Sequence, residues 1–158
     1  MKRINKINTT IMVATITMIS YSCKKDSADT ASPDTLTLLQ NKNWKISAIT
    51  IKPAYFGISD VFNGLYFDCE KDDIYRFQDN GVFVLDAGPL QCDTMFAQQM
   101  NGIWNYNSST KNLHFELADE GILHDIVISS IQENTFTGAS KDTISDGPHV
   151  TTWTFTKQ

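Results

Sequence analysis

The sequence predicts an all-β domain, an eight-stranded antiparallel up-and-down barrel preceded by one short helix. Apolar residues alternate with polar ones in many segments, most clearly at Leu113, Phe115 and Leu117. β-branched and aromatic side chains dominate these segments, as is typical of half-buried strands. The connections between the segments also differ in length in a regular order, which favours a barrel over the alternative, a β-sandwich.

The first 22 residues have the order of an export signal. Met1–Asn8 is basic, and Ile11–Ile19 is apolar but too short to span a bilayer. Small residues then precede Cys23. Because the signal ends on a cysteine, it resembles the bacterial lipoprotein signal, in which that cysteine carries the lipid, palmitate included. The resemblance implies an outer-membrane lipoprotein of the bacterial cell envelope; an ordinary cleaved signal peptide and a disordered start of the chain are the alternatives.

The segment that follows Cys23 predicts a flexible tether. Residues 24–32 contain no large apolar side chain and therefore cannot pack into a core. A lysine followed by an acid, Lys25-Asp26, resembles the surface-export tag of some Gram-negative lipoproteins. The predicted organisation is a signal peptide at 1–22, the lipidated cysteine and tether at 23–33, and one barrel domain at 34–158.

The charge of the chain excludes some partners. The signal holds three of the thirteen basic residues and none of the eighteen acidic ones, so ten against eighteen remain and the mature net charge is −8. An acidic domain without a Lys or Arg cluster argues against nucleic acid and against direct adsorption to anionic lipid. We therefore expect the chain to meet the membrane through the lipid anchor at Cys23.

The domain opens with a helix signal. Ser32 is expected to cap the helix, Pro33 fits its first turn, and Leu36, Leu38 and Leu39 supply an apolar side. After the helix the apolar period changes to two. The predicted strands are Trp44–Lys52, Asp73–Gln78, Val82–Asp86, Gly102–Asn107, Lys111–Leu117, Ile122–Ser130, Asn134–Ala139 and His149–Lys157.

The lengths of the connections predict the topology. Successive turns of an antiparallel meander fall at opposite ends of the sheet. The three long connections, Pro53–Asp72, Ala87–Asn101 and Ser140–Pro148, are all odd-numbered, as is the short Ala118–Gly121. They should therefore lie at one end, which we call the mouth. The tight turns Asp79–Gly81, Ser108–Thr110 and Ile131–Glu133 should close the other end, and the first and last strands should be neighbours.

Cys69 and Cys92 form an even pair in an exported chain, which favours a disulfide; two free thiols are the alternative. A two-residue Asn80-Gly81 turn pairs residues that are equidistant from its centre, and the two cysteines lie at equal distances from it. This places them opposite each other near the mouth. It also places them on one side of the hairpin with Tyr75, Phe77, Val82 and Val84.

Four segments resemble the lipocalin-like domain of small Gram-negative bacterial lipoproteins. They are Leu39–Ile46, Asp73–Gly81, Gly102–Tyr106 and Thr152–Lys157, and together they extend over nearly the whole mature chain. The resemblance implies a closed eight-stranded barrel and, often, no assigned ligand.

No residue pattern predicts a reaction, a metal or a cofactor. His114 and His124 lie on neighbouring strands and could face each other, but His114 should point outward to water. The acids Asp68, Glu70, Asp72 and Asp73 lack the order of a calcium loop and are expected to be solvated. There is no Gly-x-Ser-x-Gly elbow and no phosphate-binding loop. We therefore do not expect an enzyme.

The mouth is the predicted functional region, because its two long loops are rich in aromatic residues and methionine. One hypothesis is a small apolar or amphipathic ligand held in the barrel; the other is an envelope protein partner bound by the rim loops of a solid barrel. The sequence leaves open whether the interior is hollow. The candidate ligand-binding residues are Tyr66, Phe67, Tyr75, Phe96, Trp104, Phe115 and Trp153.

Overall fold

The computed structural model describes residues 34–117, 121–144 and 147–158. In these residues the chain forms three short helices and nine strands. The elements in chain order are α1 (Thr35–Leu39), β1 (Asn43–Tyr55), β2 (Ile58–Asp60), α2 (Val61–Gly64), α3 (Asp68–Lys71), β3 (Ile74–Phe77), β4 (Val82–Asp86), β5 (Gln99–Asn107), β6 (Asn112–Leu117), β7 (Ile122–Gln132), β8 (Thr135–Ile144) and β9 (Gly147–Lys157).

Eight of the strands form a closed antiparallel up-and-down barrel. From β3 to β9 each strand pairs with the next one in sequence. β1 completes the circle because it pairs with β3 through Trp44 and Tyr75, and with β9 along its length, where Ile49 lies opposite Trp153. β2 is a short arm that pairs with the far end of β1. The predicted fold class and the predicted contact of the first and last strands are confirmed.

Strand alternation places the core as the pattern predicts. Leu113, Phe115 and Leu117 of β6 are buried, whereas their neighbours His114 and Glu116 are partly exposed. A period of two puts alternate side chains on opposite faces of a sheet, so each strand of the barrel has one apolar face turned to the interior.

Aromatic rings fill the interior from the closed end upward. Phe136 stacks on Phe155 with the ring centroids 4.3 Å apart, and the edge of Trp44 meets Phe136 at 4.9 Å. Phe83 and Phe115 are also in contact, with their ring centroids 5.1 Å apart. Such pairs add favourable quadrupole geometry to the burial of apolar area.

Two indoles secure the closed end. The Trp44 Nε1–H donates to the carbonyl of Leu39, the last residue of α1, at 2.9 Å. The Trp104 Nε1–H donates to the carbonyl of Gln78 at 2.8 Å. Each bond satisfies a polar group that burial would otherwise leave unpaired.

The predicted start of α1 was wrong. Asp34, not Ser32, is the N-cap: its Oδ1 accepts from the Thr37 amide at 2.7 Å. A carboxylate at this position satisfies an amide that has no partner within the helix. Leu38 and Leu39 are buried as expected, but Leu36 is exposed.

The predicted register of the β3–β4 hairpin was wrong by one residue. Phe77 pairs with Phe83 and Tyr75 with Leu85, so the inward residues of β4 are Phe83 and Leu85, not Val82 and Val84. The reason is the turn, in which Gln78 N donates to Val82 O at 3.0 Å, leaving three residues rather than two in the loop.

The third predicted long connection was also wrong. Most of Ser140–Pro148 is strand, because β8 continues to Ile144 and pairs there with Gly147, the first residue of β9. The first long connection contains the end of β1, the arm β2 and the helices α2 and α3. The mouth is therefore built chiefly by residues 53–73 and 87–98.

The predicted signal peptide, the lipidation of Cys23 and the tether all lie outside the described residues, as does most of the short connection after Leu117. Among the helices that the structure describes, none has the length and apolar content needed to cross a bilayer.

Candidate functional site: the mouth cavity

A disulfide joins the two loop segments of the mouth. Cys69 in α3 is bonded to Cys92 in the connection between β4 and β5, and their Cα atoms are 5.1 Å apart. The predicted bridge is confirmed even though the predicted register was wrong. Cys69 and Cys92 both lie beyond the ends of their strands, so the loop paths rather than the ladder bring them together.

A cavity of about 280 Å³ lies beside this bridge. Its volume is at the lower end of the range for small-molecule sites, so it suits a compact ligand. The apolar side chains that line it come from the upper barrel wall and from the 87–98 segment: Leu85, Ala87, Phe96, Ala97, Met100 and Ile122.

The remaining lining residues are polar or belong to the bridge: Glu70, Asp73, Gln91, Cys92 and Asp93. The Gln91 Nε2 donates to the Phe96 carbonyl at 2.7 Å, which holds that part of the wall together.

The three lining carboxylates differ in their partners. Glu70 accepts from the Phe67 amide at 2.7 Å and so caps α3, and Asp93 accepts from the Met95 amide at 2.8 Å. The Asp73 carboxylate has no hydrogen-bond or ion-pair partner within the described part of the chain. Asp73 therefore presents an unpaired acid to the cavity.

Burial and neighbouring charges make Asp73 a weak acid. Loss of solvation, reinforced by the negative charges of Asp72, Glu70 and Asp86, raises the pKa of Asp73 to about 7. The same two causes raise the pKa of Tyr66 to about 12, with Glu70 and Asp73 as its charged neighbours. The electrostatic potential near Asp73 and Tyr66 is thus negative, and both side chains are partly removed from water.

Of the seven predicted ligand-binding residues, only Phe96 lines the cavity. Tyr75 and Phe115 pack against each other in the middle of the barrel, at 6.2 Å. Trp104 lies at the closed end, and Phe67 is 72% exposed on the rim.

The last two predicted residues lie close to the mouth without lining the cavity. Tyr66 is half-buried against Phe62, with the ring centroids 6.1 Å apart. Trp153 belongs to the upper barrel wall, and its ring contacts that of His124 at 4.8 Å. The structure therefore does not bring the seven residues into one lining.

Sequence reasoning missed Asp73, Leu85 and Ile122 as lining residues. The available signal is parity: Asp73 stands two residues before Tyr75 and four before Phe77, on the inward face of the strand predicted at Asp73–Gln78. The observed strand β3 begins one residue later, at Ile74. The expectation of a solvated acidic loop competes with this signal.

His114 and His124 do not face each other, because His114 lies opposite Asp125 and His124 lies opposite Phe115. His114 points outward and bonds the Asp125 carboxylate at 3.2 Å, as expected. His124 is turned inward, where burial lowers its pKa. His149 is buried beneath the mouth with its Nδ1 3.0 Å from the Pro53 carbonyl.

No protein-family profile and no curated protein matches the chain. Two solved structures of bovine odorant binding protein are similar to it, one with the natural ligand of that protein and one with a selenium-containing odorant. Both have 10% sequence identity and a TM-score of 0.43, and both cover 80% of this chain and 76% or 74% of the other. Similarity at this level carries no argument about what the chain binds.

Proposed function

We propose that this protein is a lipid-anchored protein of the bacterial cell envelope whose barrel binds one small apolar or amphipathic molecule at its mouth. The observation that carries the proposal is the cavity of about 280 Å³ with six apolar side chains in its lining. Such a lining with a few polar groups is typical of small-molecule sites.

The structure of the barrel limits where a ligand can be held. Aromatic rings that meet edge to face, including those of Trp44 and Tyr75, occupy the interior. The candidate site therefore lies between the barrel wall near the mouth and the two disulfide-linked loops. Leu85 and Met100 belong to the barrel strands, which gives the cavity a rigid floor. Cys92 gives it a wall fixed by the disulfide.

The envelope location is proposed from the signal-like first 22 residues and from Cys23. The test is fractionation of cells that express the full chain. Wild-type protein should be found with the membranes, whereas Cys23→Ser should be released into the soluble fraction. Retention of Cys23→Ser in the membranes would contradict the anchor.

The ligand-binding proposal is tested with 2-phenylethanol as the probe, followed by NMR of the Met100 and Ile122 methyl groups. Their shifts should change and saturate as the alcohol is added. Ala97→Trp, which fills the cavity from the exposed loop, should abolish the change. Ala54→Trp, an equal enlargement at an exposed position outside the lining, should leave it intact.

Two results would contradict this proposal. One is the absence of any saturable change in the wild-type methyl shifts. The other is an equal change in Ala97→Trp, which would place the probe somewhere other than the cavity.

A second function is favoured by the exposed apolar rim, which consists of Phe56, Phe67 and Met95. These side chains are 82%, 72% and 90% exposed, respectively. Aromatic and methionine side chains are common anchors at protein interfaces. We propose as the alternative that the rim contacts an envelope protein. A photo-crosslinker at position 56 should then yield a defined adduct in cells, and one at Leu123 on the outer wall should not.

A further inference from the structure

The described lining of the mouth cavity is mostly apolar, and both of the loop segments that form it add acidic side chains. Among the described residues that line it there are three carboxylates and no Lys or Arg. A wholly apolar ligand would displace the water that hydrates these carboxylates. It would offer them no hydrogen bond in return, so its binding would be opposed by their desolvation. The charge of the lining therefore contains information about the ligand beyond its size and hydrophobicity.

The basic side chains nearest to the acids are already engaged. Lys71 Nζ is 3.2 Å from Asp68 Oδ1, on the outer side of α3. Arg76 Nη2 is 2.6 Å from Asp86 Oδ2 across the β3–β4 pair. Within the described residues, the protein thus supplies no cation to the carboxylate of Asp73.

None of the titratable groups that surround Asp73 supplies a positive charge. They are the carboxyl groups of Asp72, Glu70 and Asp86 and the phenols of Tyr66 and Tyr75, all neutral or negative. A partly desolvated carboxylate without a donor is destabilising, whereas the same group paired with a cation is strongly stabilised. The arrangement is thus complementary to a positive charge that arrives from outside the chain.

Resting on the proposed function, we infer that the mouth cavity selects small amines that have an apolar body. The ammonium group would lie against the Asp73 carboxylate, with Glu70 adding to the attraction. The apolar body would lie over Met100 and Ile122. The volume of about 280 Å³ limits this class to compact molecules, such as an aryl ring on a short chain.

The test compares probes that share a phenylethyl body and differ in the charge of the end group. They are 2-phenylethylamine, 2-phenylethanol and 3-phenylpropanoate, measured by titration calorimetry at about pH 8, above the Asp73 pKa of about 7. The amine should bind at least about tenfold more tightly than the alcohol, since one desolvated charge-assisted bond supplies that difference. The carboxylate should bind more weakly than the alcohol.

Two isosteric variants locate the effect. Asp73→Asn should remove most of the preference for the amine, so that the ratio of the amine affinity to the alcohol affinity falls toward one. Asp79→Asn makes the same change in net charge at an exposed turn of the closed end, and it should keep the preference. Because the three-probe comparison on wild-type protein needs no variant, the inference can be decided even if Asp73→Asn fails to fold.

The outcomes separate this inference from the proposed function. If the alcohol binds and the amine binds no more tightly, the cavity is a ligand site but the inferred selectivity for amines is contradicted. If neither probe binds, both ideas are wrong. An undiminished preference in Asp73→Asn would also overturn the role given to that carboxylate.

Discussion

Cys69 and Cys92 bond two loops that the sheet itself leaves independent. Cys69 belongs to α3, at the end of the long connection after β1, and Cys92 belongs to the segment between β4 and β5. Both loops contribute to the cavity lining, so the bridge links the two segments that form the cavity.

Removal of this bridge should lower stability. The two cysteines are 23 residues apart in sequence, and closing a loop of that order contributes about 3 kcal/mol to the free energy of unfolding. We expect Cys69→Ala/Cys92→Ala to lose about that amount in urea denaturation. Dithiothreitol should destabilise wild-type protein equally and leave the double variant unchanged. An identical unfolding midpoint for both proteins in oxidising buffer would contradict the prediction.

Asp73 should make stability depend on pH. Its pKa is about 7 in the folded chain against an ordinary value of 3.8, so the folded state binds the proton more tightly than the unfolded state. The stabilisation from the protonated form is complete below about pH 4 and is lost as the pH rises through 7. Asp73→Asn should therefore equal wild type near pH 4 and exceed it in stability at pH 8.

The measurement for Asp73 is the urea midpoint across this pH range. Asp79→Asn is the control for the change in net charge. If the stability difference between wild type and Asp73→Asn were constant from pH 4 to 8, the assignment of the raised pKa would be wrong.

The aromatic interior should dominate the stability of the barrel. Phe136 is fully buried between Trp44 and Phe155. Phe136→Ala should lower the free energy of unfolding by about 3–5 kcal/mol, because it removes apolar area and leaves a cavity. Phe56→Ala makes the same chemical change at a side chain that is 82% exposed, and it should stay within about 0.5 kcal/mol of wild type. If Phe136→Ala and Phe56→Ala lowered the thermal unfolding temperature equally, the prediction that the buried rings dominate stability would be wrong.

His124 should titrate at low pH. Burial between Phe115 and Trp153 lowers its pKa, and the acids Asp142 and Asp125 oppose that shift only in part. In ring-proton NMR the His124 signal should show a midpoint below its ordinary 6.5, with the signal assigned through His124→Gln. A midpoint at or above 6.5 would mean that the ring is solvated rather than turned inward.

Several parts of the fold were predictable because they depend on local alternation. The inward faces of β6 and β9 could be predicted because each strand has apolar side chains on one face only. A strand must turn that face to the core, and the residues concerned are Leu113, Phe115, Trp153 and Phe155. The sorting of loop lengths predicted the closed meander, since turns in such a chain alternate between ends.

The candidate site was less predictable, because aromatic residues in loops have no fixed periodicity. Phe67 and Phe96 looked alike in the sequence, but Phe67 is 72% exposed and Phe96 lines the cavity. Whether Tyr75, Trp104 or the other predicted residues contact a ligand stays a prediction.

The amino-acid sequence alone was enough to predict an antiparallel barrel of eight strands, a disulfide between Cys69 and Cys92 and a mouth rich in apolar residues. These features depend on periodicity and composition, which can be read from each segment without knowledge of its neighbours in the fold. Three features became visible only in the packed fold: the interior is filled with rings, the hairpin has a three-residue turn, and Asp73 lines a mostly apolar cavity. Each of these features depends on side chains that are distant in the sequence and close together in the fold. Burial and the distance between charges therefore cannot be read from one segment.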